Sequence, residues 1–127
     1  MAELNIAIAD DNRQTLEMLG EILESEKDYH VVGKADNGNE AYNMIMRTKP
    51  DVVLLDIVMP GMDGISVMEK VKSNEEFKEN TSFIMVTAAS SENLTADAFK
   101  LGASYYIMKP FTRESVLDKL KRLSGYK

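Results

Sequence analysis

The chain has 127 residues, a formal net charge of −6 and no cysteine. This length fits one domain with a sizeable core, and without cysteine the chain can form neither a disulfide framework nor a thiolate metal site. The net negative charge disfavours binding of nucleic acid by this chain alone, because contacts with phosphate groups need clustered Lys and Arg. No apolar run is long enough to span a membrane, and the acidic start lacks the features of a secretory signal. We therefore expect a cytoplasmic protein without membrane contact.

Strand-like and helix-like patterns alternate from the first residues onward. The apolar run at 4–9 predicts a strand, and apolar residues at helical spacing follow it, with Asn12 placed to cap the helix. A second strand is expected at 29–35, and the helix after it opens at Gly38 and stops before Pro50. The first part of the chain thus contains two strand–helix pairs.

The rest of the chain continues the alternation with three more pairs. A strand is predicted at 52–56, followed by a helix at 64–72. The next strand is predicted at 82–88 and its helix at 91–101. The last strand is predicted at 104–108 and its helix at 112–123. The polar stretch 73–81 is expected to be a loop. Thr112 is a suitable N-cap for the last helix, but Ser115 three residues later predicts that a full capping box is absent.

Five strands, each followed by a helix, predict an α/β fold with a doubly wound parallel sheet and helices on both faces. The apolar character of the first, third and fourth strands supports burial on both sides. The expected architecture is a flavodoxin-like (βα)5 domain with strand order 2-1-3-4-5. We assign residues 1–127 to this single domain.

Polar and charged residues follow successive strands of the predicted sheet, at the edge where ligands bind in such folds. They are Asp10 and Asp11, Asp56, Thr87 and Lys109. Three converging acids repel one another, so a hard divalent cation is their natural counter-charge. An Asp–Asp pair alone is usually a turn signal, and a Lys–Pro pair is usually a surface turn. Their joint placement instead indicates phosphoryl transfer onto a carboxylate, with Asp56 as the nucleophile.

Four stretches of the sequence carry a family resemblance along nearly its whole length. They are "ADDN" at 9–12, "LLDIVMPGMDG" at 54–64, "VTA" at 86–88 and "GASYYIMKPF" at 102–111. In this order and spacing, the chain resembles the receiver domains of two-component response regulators. The resemblance implies that a histidine kinase or a histidine phosphotransfer protein donates a phosphoryl group to the chain. It also implies that the chain is not a general enzyme and catalyses only its own phosphorylation and dephosphorylation.

The resemblance also implies a metal site around the phosphoacceptor, Asp56. Asp11 and Asp56 would bind Mg²⁺ (or Mn²⁺) directly, together with the backbone carbonyl of Val58, and Asp10 would act through water.

The same resemblance implies a switch. Lys109 would pair with the phosphoryl oxygens, and the peptide bond to Pro110 would be cis. Thr87 would bind the phosphoryl group, and Tyr106 would move inward behind it. The responding surface would be formed by the fourth predicted helix, the fifth strand and the fifth helix. It would contact a second receiver or an output domain.

A narrower resemblance links "ADDNR", "LDIVMP" and "GASYYIMKPF" to the receivers of the regulators that control sporulation in endospore-forming bacteria. It implies a role in transcription, with DNA bound only through an output domain that is absent from this chain. The chain would then end inside the linker. A free-standing phosphorelay carrier without a DNA-binding output is the alternative.

Two other classes of protein have a binding or catalytic site related to the one predicted here. A flavodoxin-like nucleotide binder needs a phosphate-cradling loop after the first strand, where this chain has two acids. A phosphatase of the haloacid dehalogenase type usually has a second acid two residues after its nucleophile, where this chain has Val58.

The family resemblance also implies that the lifetime of the phosphorylated state depends on two positions, two residues after the acceptor and two residues after Thr87. They are occupied by Val58 and Ala89, whose side chains cannot hold a water molecule by a hydrogen bond. We therefore predict slow self-dephosphorylation.

Overall fold

The computed structural model describes residues 3–88 and 92–123, which form one parallel sheet with helices on both sides. The strands are β1 (Leu4–Ala9), β2 (Tyr29–Ala35), β3 (Val52–Asp56), β4 (Ser82–Ala88) and β5 (Tyr105–Lys109). The helices are α1 (Arg13–Glu24), α2 (Gly38–Thr48), α3 (Gly64–Lys72), α4 (Glu75–Lys78), α5 (Glu92–Lys100) and α6 (Arg113–Leu123). The strand order is β2-β1-β3-β4-β5, so the predicted fold class and order are confirmed. Residue 91, where the fourth helix was predicted to begin, lies outside the described residues.

The sheet divides the core into two layers, because alternate side chains of each strand point to opposite faces. Ala7 and Val53 belong to one layer, which also holds buried residues of α2 and α3. Ile6 and Leu54 belong to the other layer, which holds buried residues of α1 and α6. All five residues of β3 are buried, so this central strand holds Asp56 at a fixed position.

The polar stretch predicted as a loop contains the short helix α4, so that prediction was wrong. Phe77 is buried at 2% exposure and anchors the turn to the core. The Asn74 side chain caps it by accepting a hydrogen bond from the Glu76 amide at 3.0 Å. One buried aromatic ring and one cap thus order a segment whose composition is mostly polar. Because of this extra helix, the surface predicted to respond to phosphorylation consists of α5, β5 and α6.

The cap of α6 also differs from the sequence-based expectation. The Ser115 amide donates to Thr112 Oγ1 at 3.1 Å, which confirms Thr112 as the N-cap. The Thr112 amide in turn donates to Ser115 Oγ at 3.1 Å. This reciprocal pair has the arrangement of a capping box, with a serine hydroxyl in place of the usual Glu or Gln side chain. The prediction that a full capping box is absent was therefore wrong.

Within the described part of the chain, no helix is both long enough and apolar enough to cross a membrane.

Candidate functional site

Three carboxylates meet at the edge where β1 and β3 end. Each of Asp10, Asp11 and Asp56 offers one oxygen, and these oxygens all lie within 4.8 Å of one another. β1 and β3 are neighbours in the sheet, which brings the acids together across more than forty residues of sequence. Asp10 and Asp56 are buried, whereas Asp11 is exposed. The cluster therefore has two acids inside and one at its mouth.

Lys109 places a single ammonium group beside the two buried acids. Its Nζ lies 2.9 Å from Asp10 Oδ2 and 3.4 Å from Asp56 Oδ2. The pairing of β4 with β5 sets this position, because Ala88 lies opposite Lys109 in the register. The peptide bond from Lys109 to Pro110 is cis, as predicted.

The remaining oxygens of the buried acids contact backbone amides. Asp10 Oδ1 accepts from the Asn12 amide at 2.8 Å, and Asp56 Oδ1 accepts from the Val58 amide at 3.2 Å. Asp10 Oδ2 is buried and has no hydrogen bond within the described residues. Its contact with the Lys109 ammonium group is therefore an ion pair without hydrogen-bond geometry. A buried carboxylate oxygen that accepts no hydrogen bond within the described residues suits a cation or its bound water.

The electrostatics of the site show a shortage of positive charge. Burial and, to a smaller extent, the neighbouring Asp10 carboxylate raise the pKa of Asp56 from 3.8 to about 6, against the opposing effects of Lys109 and the Val58 amide. Burial lowers the pKa of Lys109, but the carboxylates of Asp10 and Asp56 outweigh that effect, and the net shift is upward. The lysine is therefore charged, and its one charge does not balance the acids around it.

The connection from β3 to α3 folds back tightly on Asp56. The Gly64 amide donates to the Ile57 carbonyl at 2.7 Å, and the Asp63 side chain caps α3 by accepting from the Ser66 amide at 2.8 Å. A Cβ atom at Gly64 would lie only 2.1 Å from the Asp56 carbonyl oxygen. Glycine is therefore required at this position, because any side chain would push the acceptor strand and α3 apart.

The two residues predicted to form the switch lie on β4 and β5. Thr87 is 1% exposed, and its hydroxyl donates to the Ala88 carbonyl at 3.2 Å. Tyr106 is 39% exposed, and its ring meets Phe99 of α5 edge-on at a centroid distance of 5.5 Å. The tyrosine thus lies outward in this structure. Sequence patterns did not single out Phe99, because its contact with Tyr106 exists only after α5 packs beside the sheet.

The model of the response regulator receiver domain matches residues 6–121. The chain belongs to the response regulator receiver domain family. Solved structures are similar to it over most of their length. The receiver domain of NarL from Mycobacterium tuberculosis superposes with a TM-score of 0.88 at 28% identity, with 100% of both chains covered.

Two further structures are similar to this receiver domain. A response regulator from Chloroflexus aurantiacus gives a TM-score of 0.87 at 28% identity, with 97% of this chain and 98% of that chain covered. The CheX–CheY complex from Borrelia burgdorferi, which contains BeF3 and Mg²⁺, gives a TM-score of 0.86 at 32% identity, with 97% and 90% covered. Family membership therefore assigns the chain to the phosphoacceptor domains of response regulators.

Proposed function

We propose that this receiver domain accepts a phosphoryl group on Asp56 from a phosphohistidine of a histidine kinase or a phosphotransfer protein. The observation that supports this is the acid cluster, whose oxygens lie within 4.8 Å of one another beside the Lys109 ammonium group. Asp56 ends a fully buried strand, so its carboxylate has one fixed direction. A nucleophile held in this way needs little reorganisation when the donor arrives.

The donor set around Asp56 fits Mg²⁺ or Mn²⁺. Asp11 and Asp56 would bind the ion directly with the Val58 carbonyl, and Asp10 would act through water. Two observations support this assignment: buried Asp10 Oδ2 accepts no hydrogen bond within the described residues, and the negative charge of the cluster is not balanced. When bound, the ion supplies charge neutralisation for the phosphoryl oxygens.

The reaction forms one bond and breaks one bond. An Asp56 carboxylate oxygen attacks phosphorus, the P–N bond of the phosphohistidine breaks, and the imidazole nitrogen leaves with the bonding electrons. Lys109 lies 3.4 Å from Asp56 Oδ2 and would pair with a phosphoryl oxygen during the transfer. The domain acts only on its own side chain, so we do not assign it turnover of an external substrate.

Phosphorylation would then alter the surface formed by α5, β5 and α6. A phosphoryl group adds about 1.5 to 2 negative charges, which Lys109 and the Thr87 hydroxyl would bind. Tyr106 would move inward once Thr87 has turned towards the phosphoryl group. This movement would change a hollow of about 450 Å³ that Phe99, Tyr106 and Met108 help to line. The partner at this surface would be a second receiver domain or an output domain.

We assign the domain to a cytoplasmic regulator of transcription in sporulation, with DNA contacted only through an output domain. The stretches "ADDNR", "LDIVMP" and "GASYYIMKPF" support this assignment. A free-standing phosphorelay carrier would use the same phosphorylation site. Sequencing the native reading frame separates the two, because only the transcription regulator needs a DNA-binding domain.

Incubation with acetyl phosphate and Mg²⁺, followed by intact-protein mass spectrometry, tests the acceptor directly. The parent should gain the mass of one phosphoryl group, and Asp56→Asn should not, because its carboxylate nucleophile is gone. Asp118→Asn makes the same chemical change at an exposed position on α6 and should be phosphorylated like the parent. Phosphorylation of Asp56→Asn would place the acceptor elsewhere.

A further inference from the structure

A hollow beside the phosphorylation site has no role in the proposed reaction. It has a volume of about 290 Å³ and lies between the β3–α3 connection, the start of α3, and α5. Ile57, Met59 and Ile65 contribute apolar lining, and Val58 borders it with 58% of its surface exposed. Binding sites for small molecules begin at about 300 Å³, so this hollow suits a single side chain better than a cofactor.

Two carboxylates give the hollow a negative rim. Asp63 and Asp97 both line it and both are exposed. Among residues 3–88 and 92–123, neither acid forms an ion pair. Asp63 Oδ1 accepts from the Ser66 amide, and within the described part of the chain Asp63 Oδ2 accepts no hydrogen bond. Apolar lining below two open carboxylates complements a side chain with an apolar stem and a cationic end.

The hollow is continuous with the surface that a phosphoryl donor must cover. Val58 borders the hollow, and its amide donates to Asp56 Oδ1 at 3.2 Å. A protein that brings a phosphohistidine to Asp56 must therefore cover the Val58 side chain, which is more than half exposed. The surface of that protein next to the phosphohistidine then faces the hollow.

We propose that this hollow receives an arginine side chain of the protein that phosphorylates Asp56, and so helps to select the donor. The inference rests on the proposed function. The arginine stem packs on the apolar lining, and its guanidinium group faces Asp63 and Asp97. Arginine fits better than lysine, because its guanidinium group is planar, is weakly hydrated and pairs well with carboxylates.

Transfer kinetics with two kinds of donor test this proposal. The protein donor is whichever autophosphorylated histidine kinase or phosphotransfer protein, in a purified panel, phosphorylates the parent fastest. The variants are Asp63→Asn, which keeps the cap of α3, Asp97→Asn and the double variant. Asp118→Asn on α6 is the matched control. The double variant should accept phosphate from the protein donor about tenfold more slowly, and its reaction with acetyl phosphate should keep the parent rate.

Each other outcome overturns the proposal in a recognisable way. Equal loss with both donors would place the two acids in the phosphorylation chemistry itself. Parent-like transfer from the protein donor would show that the hollow does not select it. If acetyl phosphate phosphorylates the parent and no protein donor does, the proposed phosphohistidine donor is wrong as well. If neither reacts, the proposed function fails at Asp56.

Discussion

The surroundings of Asp56 disfavour the ionised form of its carboxyl group. Its carboxylate is buried, and Asp10 lies beside it, so the pKa is raised from 3.8 to about 6 in spite of Lys109. The folded chain therefore binds a proton at Asp56 more tightly than the unfolded chain does. Stability from this group is present at low pH and is lost as the pH rises from about 4 to about 6. At neutral pH the free acceptor destabilises the fold that a bound cation would stabilise.

Asp56→Asn should therefore stabilise the domain in the absence of divalent cations. At about pH 7.5 the free energy of unfolding should rise by about 1 to 2 kcal/mol, since one pKa unit corresponds to roughly 1.4 kcal/mol and the lost ion pair offsets part of the gain. Urea titrations of variant and parent in EDTA measure the difference. The gain should shrink towards about pH 4, where Asp56 is already protonated in the fold. A variant less stable than the parent at neutral pH would contradict this account.

Val58 stands at the mouth of the site and is 58% exposed. Its side chain cannot orient a water molecule for attack on the phosphorylated acceptor. Ala89, the second position predicted to affect the lifetime, lies outside the described residues. Val58→Asn should shorten the lifetime of the phosphorylated state, because an amide can hold such a water by hydrogen bonds. Loss of the phosphorylated mass in excess Mg²⁺, after the donor is removed, measures this. Val58→Ala is the control for side-chain size, and equal lifetimes of the Asn and Ala variants would reject the argument.

At the scale of elements, the β3–α3 connection decides where the acceptor lies. Gly64 packs against the Asp56 carbonyl, and Gly38 at the start of α2 packs against the Met62 carbonyl. The Gly38 amide also donates to the Pro60 carbonyl at 3.2 Å. The connection is thus fixed where it joins α3 and again along its length by backbone contacts that leave no room for a side chain.

Gly64→Ala should lower the free energy of unfolding by about 2 kcal/mol or more, since overpacking against backbone cannot be relieved by a rotamer change. It should also slow phosphorylation by acetyl phosphate, because Asp56 must shift. Gly20→Ala in α1 is a suitable control, because its Cβ would meet only the end of the Lys34 side chain. That variant should be neutral or up to about 1 kcal/mol more stable, by helix propensity. Equal effects of the two substitutions in urea titrations would show that the close contact at Gly64 has no special role.

Much of the fold was predictable from the sequence, because the spacing of apolar residues and the capping of helices are local properties. The bounds of β2 and β3 and the Asn12 cap follow from side chains within a few residues. The helix at Phe77 was missed, because a single apolar residue in a polar stretch shows no helical periodicity. That Phe77 is buried becomes clear only from the folded core. The acids and Lys109 were found because parallel strands end at one edge. The hollow at Val58 was not found, because it depends on how α5 packs beside a loop.

For the whole molecule, the site is assembled by the fold. Lys109 contacts Asp56 across a separation of 53 residues, and each belongs to a different strand. A metal ion bound by such residues binds the folded state in preference to the unfolded state. Its binding free energy therefore adds to stability.

Mg²⁺ should accordingly raise the melting temperature of the parent. At a concentration of about 100 times the dissociation constant, the stabilisation should reach about 2.7 kcal/mol. Asp11→Ala should lose most of this effect, because an exposed direct ligand is removed. Calorimetric scans with and without Mg²⁺ measure both. Asp36→Ala, which removes another exposed acid of the same edge, should respond like the parent. An equal Mg²⁺ response in the Asp11 and Asp36 variants would remove Asp11 from the coordination.

The parallel sheet also gives the molecule two ends that differ in how well they tolerate changes of sequence. Asp10, Asp56 and Lys109 lie at the end where the strands finish, and the turns at the other end connect helices to the strands that follow. Residues 25–28, and residues 79–81 after α4, belong to those distant connections. Insertions between exposed residues there, such as Glu79 and Asn80, would lengthen a turn without moving an acid. A fluorescent reporter or an affinity tag inside the chain therefore belongs at that end, where it leaves the chemistry undisturbed.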